Sequence, residues 1–453
     1  MHRRALAGAL SAFSAWSAVA VLGVFGGLAP ALAQSAPAGK VTVVTSFAKD
    51  VTDPFKKAFE KAYPGVTLEV QNRNTNAAVK FLEETRSANQ TDLMWASAPD
   101  AFEVLKSKQL LQKYAPKAKG VAEKVGSFPV NDRDGFYFGF AASGYGVMWN
   151  ERYLRANKLP EPKEWQDLAK PAFFDHVSIS APSRSGTTHL TIETILQGEG
   201  WDKGWRTVKE MAGNFRTVTD RSFGVPEAVN SGQVGVGIVI DFFAFSAQAA
   251  GFPVKFAYPS VTTVVPANIG IIANAPNRAG AEAFVEFILS PEGQEVLLEP
   301  GIRRLPVNMQ TYEKAPAGYP NPFKDPQFQK MMLFDVDKSE ARTAPVDVLF
   351  DQLITFQLEP LKAATKAVHD AEAALAKKNN EKARALVKEA RDLIAAMPIS
   401  EAQASSAEIR GAFTGAKEKG ARQAELESQW SAFARERYAQ ARAKAEEALK
   451  LAR

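Results

Sequence analysis

From Lys40 to about Asn308, apolar positions along the chain alternate between two periods. Val41-Thr42-Val43-Val44-Thr45 is a β-branched run that predicts a strand ending at Ser46. The period then lengthens. Asp53 is placed to cap a helix, Pro54 suits a first turn, and Phe55, Phe59 and Ala62 share one face. Pro64-Gly65 stops that helix. Val66 to Val70 predicts a second strand, Asn76 to Arg86 a second helix, Asp92 to Trp95 a third strand and Asp100 to Leu111 a third helix. Further strands are expected at Phe136 to Phe140, Gly146 to Trp149, Val177 to Ser180, Val234 to Ile240 and Ile269 to Ala273. Repeated strand–helix order of this kind predicts an α/β fold, a parallel sheet covered by helices on both faces.

Beyond Pro306-Val307-Asn308 the texture changes. Residues 311–326 hold several Pro and Gly and read as a connecting loop, whereas residues 345–453 are dominated by Ala, Glu, Lys, Arg and Leu. Leu386, Ala390, Leu393, Ile394 and Met397 repeat at helical spacing until Pro398. A second helix from about Arg422 to Leu449 carries Trp430, Phe433, Ala434 and Tyr438 on its apolar side. These two are expected to form a helical hairpin packed on the rest.

The N-terminus places the chain in a compartment. Arg3-Arg4, an apolar run from Ala18 to Leu28, and Ala31-Leu32-Ala33 before Gln34 read as a cleaved export signal over residues 1–33, too short and too rich in Gly and Ala for a membrane anchor. A periplasmic protein is the expectation. There is no cysteine, so lipidation at the cleavage site, disulfides and thiolate metal sites are excluded. Loss of the two signal arginines lowers the net charge from +5 to +3, a mild excess that argues against a nucleic-acid binder. Four histidines without metal-ligand spacing, no Gly-x-Ser-x-Gly elbow and no phosphate-binding loop ending in Gly-Lys-Ser or Gly-Lys-Thr argue against an enzyme. No cofactor or metal is implied.

Candidate chemistry gathers where strands hand over to helices. Ser183, Arg184, Ser185, Thr187 and Thr188 lie between the strand ending at Ser180 and a helix expected to begin near His189, itself a candidate ligand contact; hydroxyls, a guanidinium and free N–H groups there suit an oxyanion. Arg184 would dominate if it points inward, because a charge-assisted bond contributes about 1.5 to 3 kcal/mol against roughly 0.3 to 1 for the helix dipole. Ser46, Asn76 and Ser97 each follow a strand and precede a helix, as does Arg221-Ser222 before the helix containing Pro226, and Asp241 ends an apolar strand. Each of these residues is equally suited to capping the helix that follows.

The chain also resembles a known family. Ser46 after the first strand, Asp92-Leu93-Met94-Trp95, Tyr145-Gly146-Val147-Met148-Trp149-Asn150 and Trp165-Gln166-Asp167-Leu168 look like periplasmic solute-binding proteins of ABC importers. The order Ser183 to Thr188, Gly232 to Gly237, Ala275-Pro276-Asn277-Arg278 and Leu289-Ser290-Pro291-Glu292-Gly293-Gln294 resembles the branch of ferric-iron, hexose-phosphate and phosphoglycerate binders, over about residues 40–310. The resemblance implies a two-lobed periplasmic-binding-protein fold of type II with a C-terminal helical extension. Lobe one would span 40–142 and 266–310, lobe two 143–265 and the extension 345–453, with crossings near Ala142 to Tyr145 and Pro259 to Pro266. It implies a small anionic solute, phosphorylated or carboxylated, held in the cleft and delivered to the membrane permease of an importer. It leaves open a periplasmic regulator acting on a membrane sensor kinase, and a ferric-iron binder. Ferric relatives carry adjacent tyrosines after the corresponding strand, where this chain has Asp241-Phe242-Phe243.

Overall fold

The computed structural model describes residues 37–126, 128–413 and 417–453. The expected export signal, residues 1–33, lies outside the described residues. Three strands, β1 (Gly39–Thr45), β2 (Val66–Asn72) and β3 (Leu93–Ala96), run parallel with β1 in the middle. Each is followed by a helix: α1 (Lys49–Ala62), α2 (Thr75–Glu84) and α3 (Pro99–Ser107). Val41, Val43, Val44, Leu93, Met94 and Trp95 are buried whichever face they occupy, as expected of parallel strands covered on both sides.

The chain then enters β4 (Phe138–Asn150), buried along all 13 residues. Downstream come β5 (Val177–Ser180), β6 (Phe215–Thr219), β7 (Val236–Ile240), β8 (Val254–Ala257) and β9 (Val264–Ile272). The first part of β4 pairs with β9, and its second part pairs with β7 and β8. The spatial order is β2-β1-β3-β9-β4-β7-β5-β6, with β8 beside β4. The long strand therefore belongs to two halves of one sheet.

Three expectations differ from the structure. The sheet is mixed rather than parallel, because β4 runs antiparallel to β7 and β9, and β9 runs antiparallel to β3. The strands expected at 136–140 and 146–149 are one continuous strand; Gly144 and Gly146 interrupted the apolar pattern, yet they sit inside the ladder. A side chain at Gly146 would meet the Ala257 carbonyl oxygen at 2.2 Å, so the close approach of β8 explains the glycine. In α1 the helix starts one turn early: the Ala48 carbonyl accepts from Val51 and Thr52, and Pro54 lies inside the helix rather than at its start.

Helices α4 (Gly186–Glu199), α5 (Trp201–Ala212), α6 (Asp241–Ala249) and α7 (Arg278–Leu289) cover the sheet. Helix α8 (Val336–Phe350) follows, kinked at Arg342 one turn before Pro345, whose missing N–H cannot continue the ladder. It packs against both α3 and α4.

The C-terminal region contains three long helices, α9 (Leu358–Leu375), α10 (Glu381–Ala395) and α11 (Lys417–Ala452), instead of the expected hairpin. Helix α9 had little signal because its buried face, Leu361, Ala364, Val368 and Ala371, is half alanine. The three pack on one another and share a core with the second half of the sheet through Trp201, Trp205, Val346, Leu349, Trp430 and Tyr438. Lys209 reaches the Ala396 carbonyl at 2.7 Å and Tyr438 donates to the Leu353 carbonyl at 2.7 Å, so these two polar groups in the seam are paired. Among the described residues no helix is long and apolar enough to cross a membrane.

Candidate functional site

A cleft of about 500 Å³, partly open to solvent, lies where the two halves of the sheet meet. One wall carries Ser46, Phe47, Asn74 and Thr75 from the ends of β1 and β2; the opposite wall carries Arg184 to Thr187 after β5 and Arg221 to Phe223 after β6. Phe242 and Phe243 at the start of α6, with Arg304, complete it. Its lining holds three arginines and no acidic residue. The N-cap residues of α1, α2 and α4, which are Ala48, Asn74 and Ser185, all line it, so three helix starts converge on one space. Ala48 has no side chain to cap its helix, which leaves first-turn N–H groups of α1 without a side-chain acceptor.

Arg304, which sequence reasoning missed, is 1% exposed. Its guanidinium lies over the Phe242 ring at 3.7 Å and the Phe47 ring at 4.4 Å, and Nη1 donates to Ser97 Oγ at 2.9 Å. Nε is buried with no partner. Burial pulls its pKa down to about 9, against the opposing pull of Asp241 and Tyr145. Arg221, next to Ser222, donates to Asn72 Oδ1 at 3.0 Å and faces the Phe223 ring at 5.1 Å; burial lowers its pKa. No local pattern marks Arg304, since it does not sit in a run whose period or capping chemistry predicts an inward side chain.

Of the candidates read from sequence, Ser46, Arg184, Ser185, Thr187 and Ser222 line the cleft. Arg184 is half exposed and paired with Asp220. Ser185 also caps α4 by accepting from Thr188 N–H, so its binding and capping readings coexist. Helix α4 begins at Gly186 rather than near His189. Ser97 is buried behind the wall as the acceptor for Arg304. Thr188 is buried and bonded to Ser180.

Asp241 is fully buried and takes N–H donors from Gly144 and Phe242 at 2.7 Å each and the Tyr258 hydroxyl at 2.8 Å. Burial pushes its pKa up to about 6 despite those bonds. It ties β4, α6 and Tyr258 together and does not reach the cleft lining.

The remaining candidates meet elsewhere. Asn76 Nδ2 donates to the Ser183 carbonyl and to Asp347 Oδ2, each at 3.0 Å. Asp347 Oδ1 lies 2.8 Å from His189 Nδ1, while His189 Nε2 lies 3.0 Å from Ser339 Oγ and 3.5 Å from Asp100 Oδ2. Burial opposes charge on His189, but Asp347, Asp100 and Glu193 outweigh it and push its pKa up to about 9. Asn76, Ser183 and His189 thus meet helix α8 rather than the cleft space, joining residues of both sheet halves.

Comparison with known proteins now bears on this geometry. A family profile described as a bacterial extracellular solute-binding protein matches residues 91–332. The phosphoglycerate transport regulatory protein PgtC of Salmonella typhimurium is 30% identical over 339 residues, covering 74% of this chain and 82% of the relative. Among solved structures, the periplasmic binding protein AfuA from Actinobacillus pleuropneumoniae, with exogenous fructose-6-phosphate bound, superposes with a TM-score of 0.60 at 21% identity, covering 67% of this chain and 93% of that one. Apo ferric ion-binding protein A from Pasteurella haemolytica gives 0.56 at 16% identity, covering 70% and 98%. At these identities the structural likenesses show the fold, that of the periplasmic binding proteins, here carrying a C-terminal helical region. A mixed sheet in two halves, a cleft between them and a profile match over more than half the length agree: the chain belongs to the bacterial extracellular solute-binding proteins.

Proposed function

We propose that this protein binds a small phosphorylated or carboxylated anion in the periplasm and delivers it to the membrane permease of an ABC importer, without chemical conversion. The observation that carries this reading is the cleft itself, with three arginines, five hydroxyl side chains and no acidic residue in its lining. Such a lining has positive potential, offset by Asp220 beside Arg184 and by Asp241 behind Arg304 rather than by any acid facing the space. In this reading the two lobes are 40–142 with 266–310 and 143–265, one for each half of the sheet. Names of the relatives point the same way, one for phosphoglycerate transport and one for bound fructose-6-phosphate.

A ferric ion is a poorer match for this lining. A hard trivalent cation needs oxygen ligands that carry charge, and the lining has Phe242 and Phe243 but no Tyr, Asp or Glu. A regulatory role is the second reading. It is favoured by the name of the PgtC relative and by helix α8, which connects the C-terminal helices to residues at the cleft edge. In that role the C-terminal helices would present the bound state to a membrane sensor kinase.

Titration calorimetry with fructose 6-phosphate, 3-phosphoglycerate, inorganic phosphate, citrate and ferric ion tests the binding reading. Saturable binding of at least one organic anion, with none of ferric ion, is expected. Tight ferric binding with silence toward every anion would overturn it.

A further inference from the structure

We propose that Arg304 is the fixed anchor for the ligand's anionic group, an assignment that rests on the anion-binding reading and narrows it to oxyanions that can accept two parallel N–H donors. A guanidinium has five donors, and among the described residues the Arg304 side chain has a single hydrogen-bond acceptor, Ser97 Oγ. The nearby carboxylate, Asp241, has its oxygens engaged by Gly144, Phe242 and Tyr258. Phe47 and Phe242 hold the guanidinium between their rings, which fixes the plane of the fork without satisfying its donors. A buried charge left this way is unfavourable until an oxyanion completes it. Arg184 differs in being half exposed and already paired with Asp220. It therefore gains less from a ligand.

The test compares Arg304→Met with the unaltered protein by thermal shift and calorimetry, using fructose 6-phosphate, 3-phosphoglycerate, citrate and uncharged fructose. The anion that binds the unaltered protein should bind Arg304→Met about ten- to a hundred-fold more weakly, the loss of a charge-assisted bond. The ligand-free melting temperature of that variant should be equal or higher, because a buried unpaired charge has been removed. Arg304→Lys should bind between the two, keeping the charge without the fork. Undiminished affinity in Arg304→Met, or a lowered ligand-free melting temperature, overturns the anchor while leaving the anion reading intact. If no anion binds the unaltered protein, that reading fails and the anchor with it.

A second inference rests on a separate observation and needs no ligand. We infer that helix α8 is a built-in clasp that holds the two halves together across the cleft. It is fastened to the second half by Arg342, whose guanidinium engages Glu193 of α4 at 2.8 Å. From there Asp347 reaches the first half, accepting from Asn76 of α2 at 3.0 Å while held by His189 of α4 at 2.8 Å. The polar fastening is unequal: one side is a buried two-pronged ion pair, while the other adds to the packing of α8 on α3 a single amide bond to an exposed asparagine. Opening would break the Asn76 bond and part α8 from α3.

Small-angle scattering of the ligand-free protein tests this with Asn76→Ala, which removes the bond at an exposed position, and Asn76→Asp, which sets a like charge against Asp347. Both should show a larger radius of gyration than the unaltered protein, Asn76→Asp the more so, with faster amide exchange in α8. Equal radii for all three, or expansion of Asn76→Asp alone, would overturn the clasp.

Discussion

Arg342 donates through Nε and Nη2 to the two carboxylate oxygens of Glu193, each at 2.8 Å, and neither side chain has any exposed surface. Its remaining Nη1 donates to Glu401 at 2.5 Å, linking helix α8 both to α4 and to the segment between α10 and α11. Burying two charges is offset only when their hydrogen bonds are complete, as they are here. Arg342→Met should therefore destabilise the protein by about 3 to 5 kcal/mol, because it leaves Glu193 buried and alone. Adding Glu193→Leu should recover most of that loss in a denaturant titration. A double variant as unstable as the single one would show that the pair's packing, not its charge, is what matters.

His189 sets a pH dependence whose direction follows from its environment. Its pKa rises from the usual 6.5 to about 9 in the fold, so the stability it contributes is complete below pH 6.5 and is lost as pH rises through 9. Asp100 beside it, pushed up to about 6 chiefly by burial, adds a loss of stability at lower pH, between its usual 3.8 and 6. Lys209 acts in the opposite sense, since burial lowers its pKa to about 7. The informative quantity is the difference between two curves. Melting temperatures of the unaltered protein minus those of His189→Gln should fall between pH 6.5 and 9, and a flat difference would refute the charged state of His189.

Gly186 begins helix α4 at the point where the two walls touch. A methyl there would lie 2.8 Å from Ala98 Cβ and 3.1 Å from Thr75 Oγ1, both from the opposite half. Gly186→Ala is expected to leave the fold intact and to weaken anion binding several-fold, because the walls cannot approach as closely. Thr75→Ser in the same chain, which removes a methyl next to the clash, should restore part of the affinity measured by calorimetry.

Arg184 makes a contrast with Arg304. Its side chain is 50% exposed and its partner Asp220 is 79% exposed, so Arg184→Ala should change stability by about 1 kcal/mol or less. Its effect on affinity for an organic phosphate should be smaller than that of Arg304→Met. A larger effect would move the anchor to the α4 loop.

Much of the architecture was legible because the strands and helices of the α/β region are long enough to repeat their period. Val41 to Thr45, Val66 to Val70 and Val177 to Ser180 read as strands from β-branched runs alone, and Ser183 to Thr188 read as an oxyanion loop because hydroxyls and an arginine lie between a strand and a helix. These signals are local, arising from propensity, capping and the alternation of faces.

What escaped is non-local. The direction of β4 and β9 depends on which strand lies beside them, and a glycine inside a ladder looks like a break until its neighbour is seen. Helix α9 was overlooked because alanine is a helix former on any face and only packing shows which face is buried. Arg304 and Asp347 gain their importance from residues far along the chain: Ser97, Phe47 and Phe242 for one, Asn76 and His189 for the other. The sequence by itself determined most strands and helices of the α/β region, the family and the loops that gather at the cleft. Only the tertiary structure decided which arginine is stripped of water and which carboxylate bonds to residues of both halves, because desolvation and pairing depend on surroundings that sequence separation does not encode.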